Sequence, residues 1–136
     1  MDNTKFRLLK NNTPGSYTFI LVATREVPKR LQHPKRSTIG IRIPDHTVAL
    51  ALLEELGEPI TSSTLILPNE AGPLNDAGQI RDLLEKQVEL VIDGGAVGVD
   101  FTTVIDLTGD VPVLVRRGKG DVAPFGIEDY FNLMGT

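Results

Sequence analysis

In the first third of the chain apolar positions alternate with polar ones: Ile39, Ile41 and Ile43 against Thr38, Gly40 and Arg42. A period of two predicts a strand with one buried face. Pro44 ends it, and Asp45 is placed to cap a helix. Val48, Leu52, Leu53 and Leu56 then recur at helical spacing, and Gly57 supplies a left-handed terminator. Residues 60–67, hydroxyls followed by aliphatics, predict a second strand. Two strands joined through a helix can lie parallel in one sheet. One face of that sheet would gather Thr38, Arg42 and the hydroxyls of Ser62 to Thr64. An arginine among hydroxyls suits a phosphate or a carboxylate.

The flanking sequence supplies the remaining elements. Residues 2–11 read as a short helix capped by Asp2, with Phe6 and Leu9 on one face. Asn12, Pro14 and Gly15 mark a turn. Residues 17–23, β-branched and aromatic, predict a strand. Residues 26–36 are a polar loop with one helical turn. Asp76 and Gln79 have the spacing of a capping box for a helix that buries Ile80, Leu83 and Leu84. Residues 88–92 predict a third core strand, closed by Asp93 and two glycines. Residues 102–107 and 111–115 form a hairpin around Thr108, Gly109 and Asp110. A short helix is expected over 128–134. The fold class is α/β, a twisted mixed sheet with flanking helices, in one domain over residues 1–136.

Composition narrows the chemistry. The chain contains no cysteine, which excludes disulfides, thiolate metal sites and cysteine catalysis. No apolar run approaches a membrane span and no signal-peptide plan opens the sequence, so a cytoplasmic location is expected. The formal charge of −4 argues against a generic nucleic-acid coat. The cations nevertheless gather near loops and strand ends, from Lys29 to Arg42 and from Arg116 to Lys119, which fits an anionic ligand.

Each candidate has a plainer reading. Arg42 suits a solvent-facing strand position as well as a ligand site. Hydroxyls such as Ser62, Thr64 and Thr102 commonly satisfy nearby backbone. Gly118-Lys119-Gly120 lacks phosphate-loop spacing and reads as a turn ending a hairpin strand. On a strand, Arg116 and Arg117 face opposite ways. His33 and His46 read as surface residues, and Asp93 and Asp106 as turn or cap residues. No nucleophile–base order emerges, so an enzyme built this way works by positioning and charge stabilisation.

The blocks at residues 11–21, 38–45, 52–68, 84–95, 102–107 and 115–121 together resemble the YrdC-like superfamily, and within it the YciO subfamily. The resemblance implies that superfamily's α/β fold with a concave pocket. It also implies an L-threonylcarbamoyladenylate synthase-like activity. ATP, L-threonine and bicarbonate would give threonylcarbamoyl-AMP and pyrophosphate, for a tRNA modification, with Mg2+ on the phosphates. Matched by position, nucleotide contacts would fall at Thr38, Thr64 and Arg116, and threonine contacts at Arg42, Ser62 and Thr102. No catalytic side chain and no protein metal ligand is implied.

Two departures bear on activity. Synthases end the hydroxyl strand with Ser-Ala-Asn, where Thr64-Leu65-Ile66 stands here. Family members also begin with a segment holding a Lys-Arg nucleotide motif, so the likeness implies a chain that starts part-way into the family domain. Weak or no turnover is then expected. An exposed sheet edge would invite a homodimer. The alternative function is a non-catalytic module that binds tRNA or double-stranded RNA, and a third reading is a plain interaction domain.

Overall fold

The computed structural model describes residues 2–95, 98 and 100–127. Two compact units divide the chain, residues 51–100 forming the second and the remainder the first.

The first unit is built on a four-stranded mixed sheet of order β2-β1-β3-β4. Strand β1 (Tyr17–Val22) and strand β3 (Thr103–Asp106) pair parallel at its centre, Phe19 opposite Ile105. Strand β2 (Thr38–Ile41) runs antiparallel to β1, and β4 (Val113–Arg116) antiparallel to β3. The hairpin expected over 102–115 is therefore present. Phe19 and Ile105 are at most 1% exposed, and with Tyr17, Leu107 and Phe125 they form the core. The three aromatic rings sit 5.2–5.6 Å apart.

Helix α1 (Asn3–Asn11) starts where Asp2 accepts from the Lys5 amide at 2.8 Å. Its last carbonyls are taken up by the Asn12 amide and the Thr13 hydroxyl. Leu8 and Leu9 pack on the core, whereas Phe6 stays 55% exposed. The apolar stripe is thus rotated one residue from the expected Phe6–Leu9 face.

After β4 the chain folds back over the start of β3. Gly118 donates to the Thr103 hydroxyl, which donates to the Gly120 carbonyl, and the Tyr17 hydroxyl donates to the Asp121 carbonyl. A Cβ on Gly120 would lie 2.5 Å from the Tyr17 ring and 2.8 Å from the Ser16 carbonyl oxygen. The two glycines therefore serve close approach, as a turn and not as a phosphate loop. Burial, helped by the charge of Asp121, pushes the Tyr17 phenol up, so it stays a neutral donor at physiological pH.

Helix α2 (Thr47–Leu56) ends at Gly57, φ 69°, as its sequence predicts. Its start is corrected by one residue: His46, not Asp45, precedes it, and the His46 Nδ1 accepts from the Val48 amide at 3.2 Å. In the second unit, α3 (Ala77–Leu84) is capped by Asp76, which accepts from the Gly78 amide. Ile80 and Leu84 are half-buried there and Leu83 is 51% exposed, so the helix buries less than its stripe predicts.

The strands expected over 60–67 and 88–92 do not form, and with them falls the parallel unit through α2. Residue pattern makes a segment fit for a strand, but a ladder needs a partner. The backbone bonds that reach 60–67 come from the loop just after it, the Glu70 amide donating to the Leu67 carbonyl and the Leu74 amide to the Leu65 carbonyl. The helix expected over 128–134 lies outside the described residues.

Phe19→Ala should cost about 3–5 kcal/mol, a large core side chain leaving a cavity. Leu83→Ala should stay within about 0.5 kcal/mol. Urea unfolding of the two variants checks the contrast.

Candidate functional site

Alternation along the two central strands sends Phe19 and Ile105 into the core and Thr18, Ile20, Val104 and Asp106 to the opposite face. On that open face the hydroxyls of Thr18 and Thr102 lie 2.7 Å apart. Arg116 bends over Thr102. Its Nη2 donates to the Thr102 carbonyl at 2.9 Å and to the hydroxyl at 3.1 Å, and its Nε to the carbonyl at 3.3 Å. The guanidinium carbon sits 5.0 Å from the Phe101 ring centre, a cation–π distance.

A β-bulge puts Arg116 there. Leu114 pairs with Ile105 and Arg116 with Val104, so two adjacent β3 residues face two β4 residues that are two apart. The extra residue, Val115, reverses the parity of β4. Leu114 packs on the core while Arg116 reaches the other face.

The β1–β2 register ends at Phe19 and Ile41, so Arg42, just past the end of β2, lies at the same end of that strand pair as Thr18. The Gly15 amide donates to the Ile43 carbonyl at 2.9 Å, which keeps the chain alongside past the end of β2. Thr18, Thr102 and Arg116 therefore form a hydrogen-bonded polar cluster on this face, and Arg42 follows the end of β2. A guanidinium among hydroxyls is matched to a ligand with more than one anionic or acceptor group.

The hydroxyl pair has a proton to spare. Thr102 accepts from Arg116, and whichever of Thr18 and Thr102 donates across the 2.7 Å contact, one O–H of the two remains for a ligand oxygen. The bonds of Arg116 to Thr102 run through Nε and Nη2 and do not engage Nη1.

The structure brings together Thr102 and Arg116, and Arg42 follows directly on β2. Thr38 shares the face but pairs with Val22 at the opposite end of β2, four residues or about 13 Å along the strand from Arg42. Ser62 and Thr64 are exposed in the second unit and belong to no strand. Thr18 was not among the residues picked from sequence. Its signal is a hydroxyl at the outward position of a strand whose inward positions are Tyr17 and Phe19.

The other candidates take local roles. Asp106 accepts from the amide and hydroxyl of Thr108 at 2.8 and 2.6 Å, and Asp93 from the Gly95 amide at 2.9 Å. His33 Nδ1 accepts from the amides of Lys35 and Arg36. The described residues contain no group of three or more His, Asp or Glu side chains that could hold a metal ion. None of their helices is long and apolar enough to cross a membrane.

A family model for Sua5/YciO/YrdC proteins, described as "Telomere recombination", matches residues 1–118. The chain belongs to the Sua5/YciO/YrdC family. It is 58% identical over 125 residues to an uncharacterized YciO protein of Escherichia coli K12. That match covers 92% of this chain and 61% of the relative. A threonylcarbamoyl-AMP synthase of Bacillus subtilis is 33% identical over 82% of this chain and 32% of its own length. The crystal structure of Escherichia coli YciO superposes with a TM-score of 0.84 at 58% identity, covering 92% of this chain and 61% of that one. Pyrococcus abyssi Sua5 complexed with L-threonine superposes at 0.74 and 30% identity, over 87% of this chain and 34% of that structure. The chain therefore spans about six-tenths of the YciO relatives' length, and the mixed α/β sheet is the family's.

The two Thr108 bonds, the hydroxyl's foremost, hold the Asp106 carboxyl below its ordinary range. A lowered folded-state pKa adds stability above the ordinary carboxylate range near 3.8 and loses it as pH falls through the folded value. Thr108→Val should therefore cost about 1 kcal/mol at neutral pH. The difference from the parent chain should shrink below about pH 4, as measured by denaturant unfolding across pH.

Proposed function

We propose that this chain acts as an L-threonylcarbamoyladenylate synthase-like protein whose open sheet face binds L-threonine and an adenylate phosphate. The observation that carries this reading is the hydrogen-bonded cluster of Thr18, Thr102 and Arg116, with Arg42 just past the end of β2. It gains support from a relative named threonylcarbamoyl-AMP synthase and from a Sua5 structure complexed with L-threonine.

In this reading Arg42 takes the threonine carboxylate through charge-assisted hydrogen bonds. The Thr102 and Thr18 hydroxyls orient the amino acid or its carbamate. Arg116 Nη1 holds a phosphate oxygen and offsets the charge that grows as pyrophosphate leaves. Thr38, further along the face, sits where the nucleoside end of ATP would extend. The Arg–Thr cluster fits an anionic nucleotide. Mg2+ would travel on the ATP phosphates, because the described residues form no protein cage for it. Bound there, the ion would neutralise phosphate charge. The overall reaction takes ATP, L-threonine and bicarbonate to threonylcarbamoyl-AMP and pyrophosphate. Ile66, where synthases carry an asparagine amide, predicts slow turnover relative to binding.

Calorimetric titration with L-threonine and with MgATP tests the assignment. Arg42→Ala should weaken threonine binding and Arg116→Ala nucleotide binding. Each loss is worth about 1.5–3 kcal/mol, or roughly ten- to a hundredfold. Thr18→Val should weaken both several-fold while Thr18→Ser keeps them. Unchanged affinities in both arginine variants, or no binding of either ligand together with no threonine-dependent pyrophosphate release, would contradict the proposal.

One observation favours a second reading, a non-catalytic tRNA or duplex-RNA binder. Lys29, Arg30, Lys35 and Arg36 are exposed, and no salt bridge engages them among the described residues. Bound phosphates release counterions, so affinity would fall linearly on a log–log salt plot. Anisotropy titrations with duplex RNA should show that slope and lose part of it in a Lys35→Ala/Arg36→Ala variant. Salt-independent binding would sink this reading.

A further inference from the structure

Among the described residues the buried set is apolar except for Thr103, which is 0% exposed. A hydroxyl taken out of water needs partners, and this one has two. It accepts from the Gly118 amide at 3.0 Å and donates to the Gly120 carbonyl at 2.7 Å. The Lys119 amide between them donates to the Phe101 carbonyl at 2.9 Å. Residues 118–120 are thereby fastened to residues 101 and 103. Neither glycine has room for a side chain. A Cβ on Gly118 would collide with the Phe101 and Thr102 carbonyl groups, and one on Gly120 with the Tyr17 ring. Behind this fastening the Tyr17 hydroxyl holds the Asp121 carbonyl at 2.7 Å.

Arg116 hangs from the same two segments. It lies two residues before Gly118, and its partner Thr102 lies directly before Thr103. The peptide between Thr102 and Thr103 connects the buried face with the open one. Its N–H donates to the Ser16 carbonyl at 3.0 Å. A planar trans peptide then turns its C=O the opposite way, toward β4, where the Nη2 and Nε of Arg116 donate to it. The Phe101 ring, 5.0 Å from the guanidinium carbon, belongs to the residue whose carbonyl Lys119 uses. An arginine on a surface is ordinarily free to change rotamer. This one makes three hydrogen bonds to a single residue whose direction is set from below.

We propose that Thr103 is a positioning residue for Arg116: its buried hydroxyl, by fastening residues 118–120 to the start of β3, fixes the guanidinium over Thr102. Thr103 itself touches no ligand. Valine has the shape of threonine without the hydroxyl. At position 103 it would leave the Gly118 amide and the Gly120 carbonyl without their partner, and the segment must shift to pair them elsewhere. Arg116 moves with that segment. A role in packing alone would instead lower stability and leave the guanidinium where it is. The consequence for a nucleotide rests on Arg116 meeting phosphate, whereas the ordering of the side chain does not.

NMR of the 15N-labelled chain reads the arginine directly and without ligand. The Arg116 Nε–H of the parent should have an order parameter near the rigid value of about 0.85, falling below about 0.6 in Thr103→Val. Thr103→Ser, which keeps the hydroxyl, should stay with the parent. Calorimetry reads the consequence. MgATP affinity should fall roughly three- to thirtyfold in Thr103→Val and hold in Thr103→Ser. In an Arg116→Ala background Thr103→Val should change it no further, because the effect passes through Arg116. Where Thr103→Val does not fold, Tyr17→Phe takes its place: it cuts the tie to Asp121, keeps the ring, and should loosen Arg116 in the same direction. Disorder at Arg116 in the parent, or equal order in the parent and the folded variant, overturns the proposal. So does a Thr103→Ser chain that behaves like Thr103→Val, or an equal loss of MgATP affinity with and without Arg116. A parent chain that binds no MgATP sinks the functional reading instead, and the order of the Nε–H then decides this one.

Discussion

The parallel pairing of β1 with β3 sets the character of both faces of the sheet. It places Phe19 against Ile105 on one side and brings Thr18 to Thr102 on the other. The buried side supplies most of the unit's stability, through apolar area removed from water. The open side holds polar groups that need only local partners, and it has them. Each strand therefore contributes to packing and to the polar face at alternate residues. A one-residue slip would exchange the two faces and destroy both at once.

The remaining elements serve this arrangement. Helix α1 and the 3-10 turn at Ala123–Phe125 close the apolar side. The glycine fold-back ties the start of β3 to Tyr17 through hydroxyl and carbonyl bonds. That clamp fixes Thr102, the residue just before β3, and Thr102 anchors Arg116. Rigid backbone thus sets the angle of a guanidinium on the surface. An arginine held in this way loses less freedom on binding than one that samples many rotamers.

Much of the first unit was legible in the sequence, because its signals are local. Alternation marked β2, β-branched and aromatic residues marked β1, a short glycine-containing loop marked the hairpin, Asp2 marked the start of α1, and Gly118 and Gly120 marked the turn after β4. Two things were hidden. The bulge at Val115 reverses the parity of β4, so counting alternate residues places Leu114 and Arg116 on one face when they lie on opposite ones. Strand-like composition at 60–67 and 88–92 carries no information about whether a partner strand is present. The site was half legible for the same reasons. Arginine and hydroxyl positions were visible, but the join between Thr102 and Arg116 depends on the bulge in β4, and the part played by Thr18 on pairing between segments more than 80 residues apart.

The most direct measurement is a crystal structure of the chain grown with L-threonine and MgATP. The account predicts ligand density on the open sheet face, with the threonine carboxylate within hydrogen-bonding distance of Arg42 and a phosphate oxygen near Arg116 Nη1. Density confined to another surface, with Arg42 and the Thr18–Thr102–Arg116 cluster bare, would contradict it.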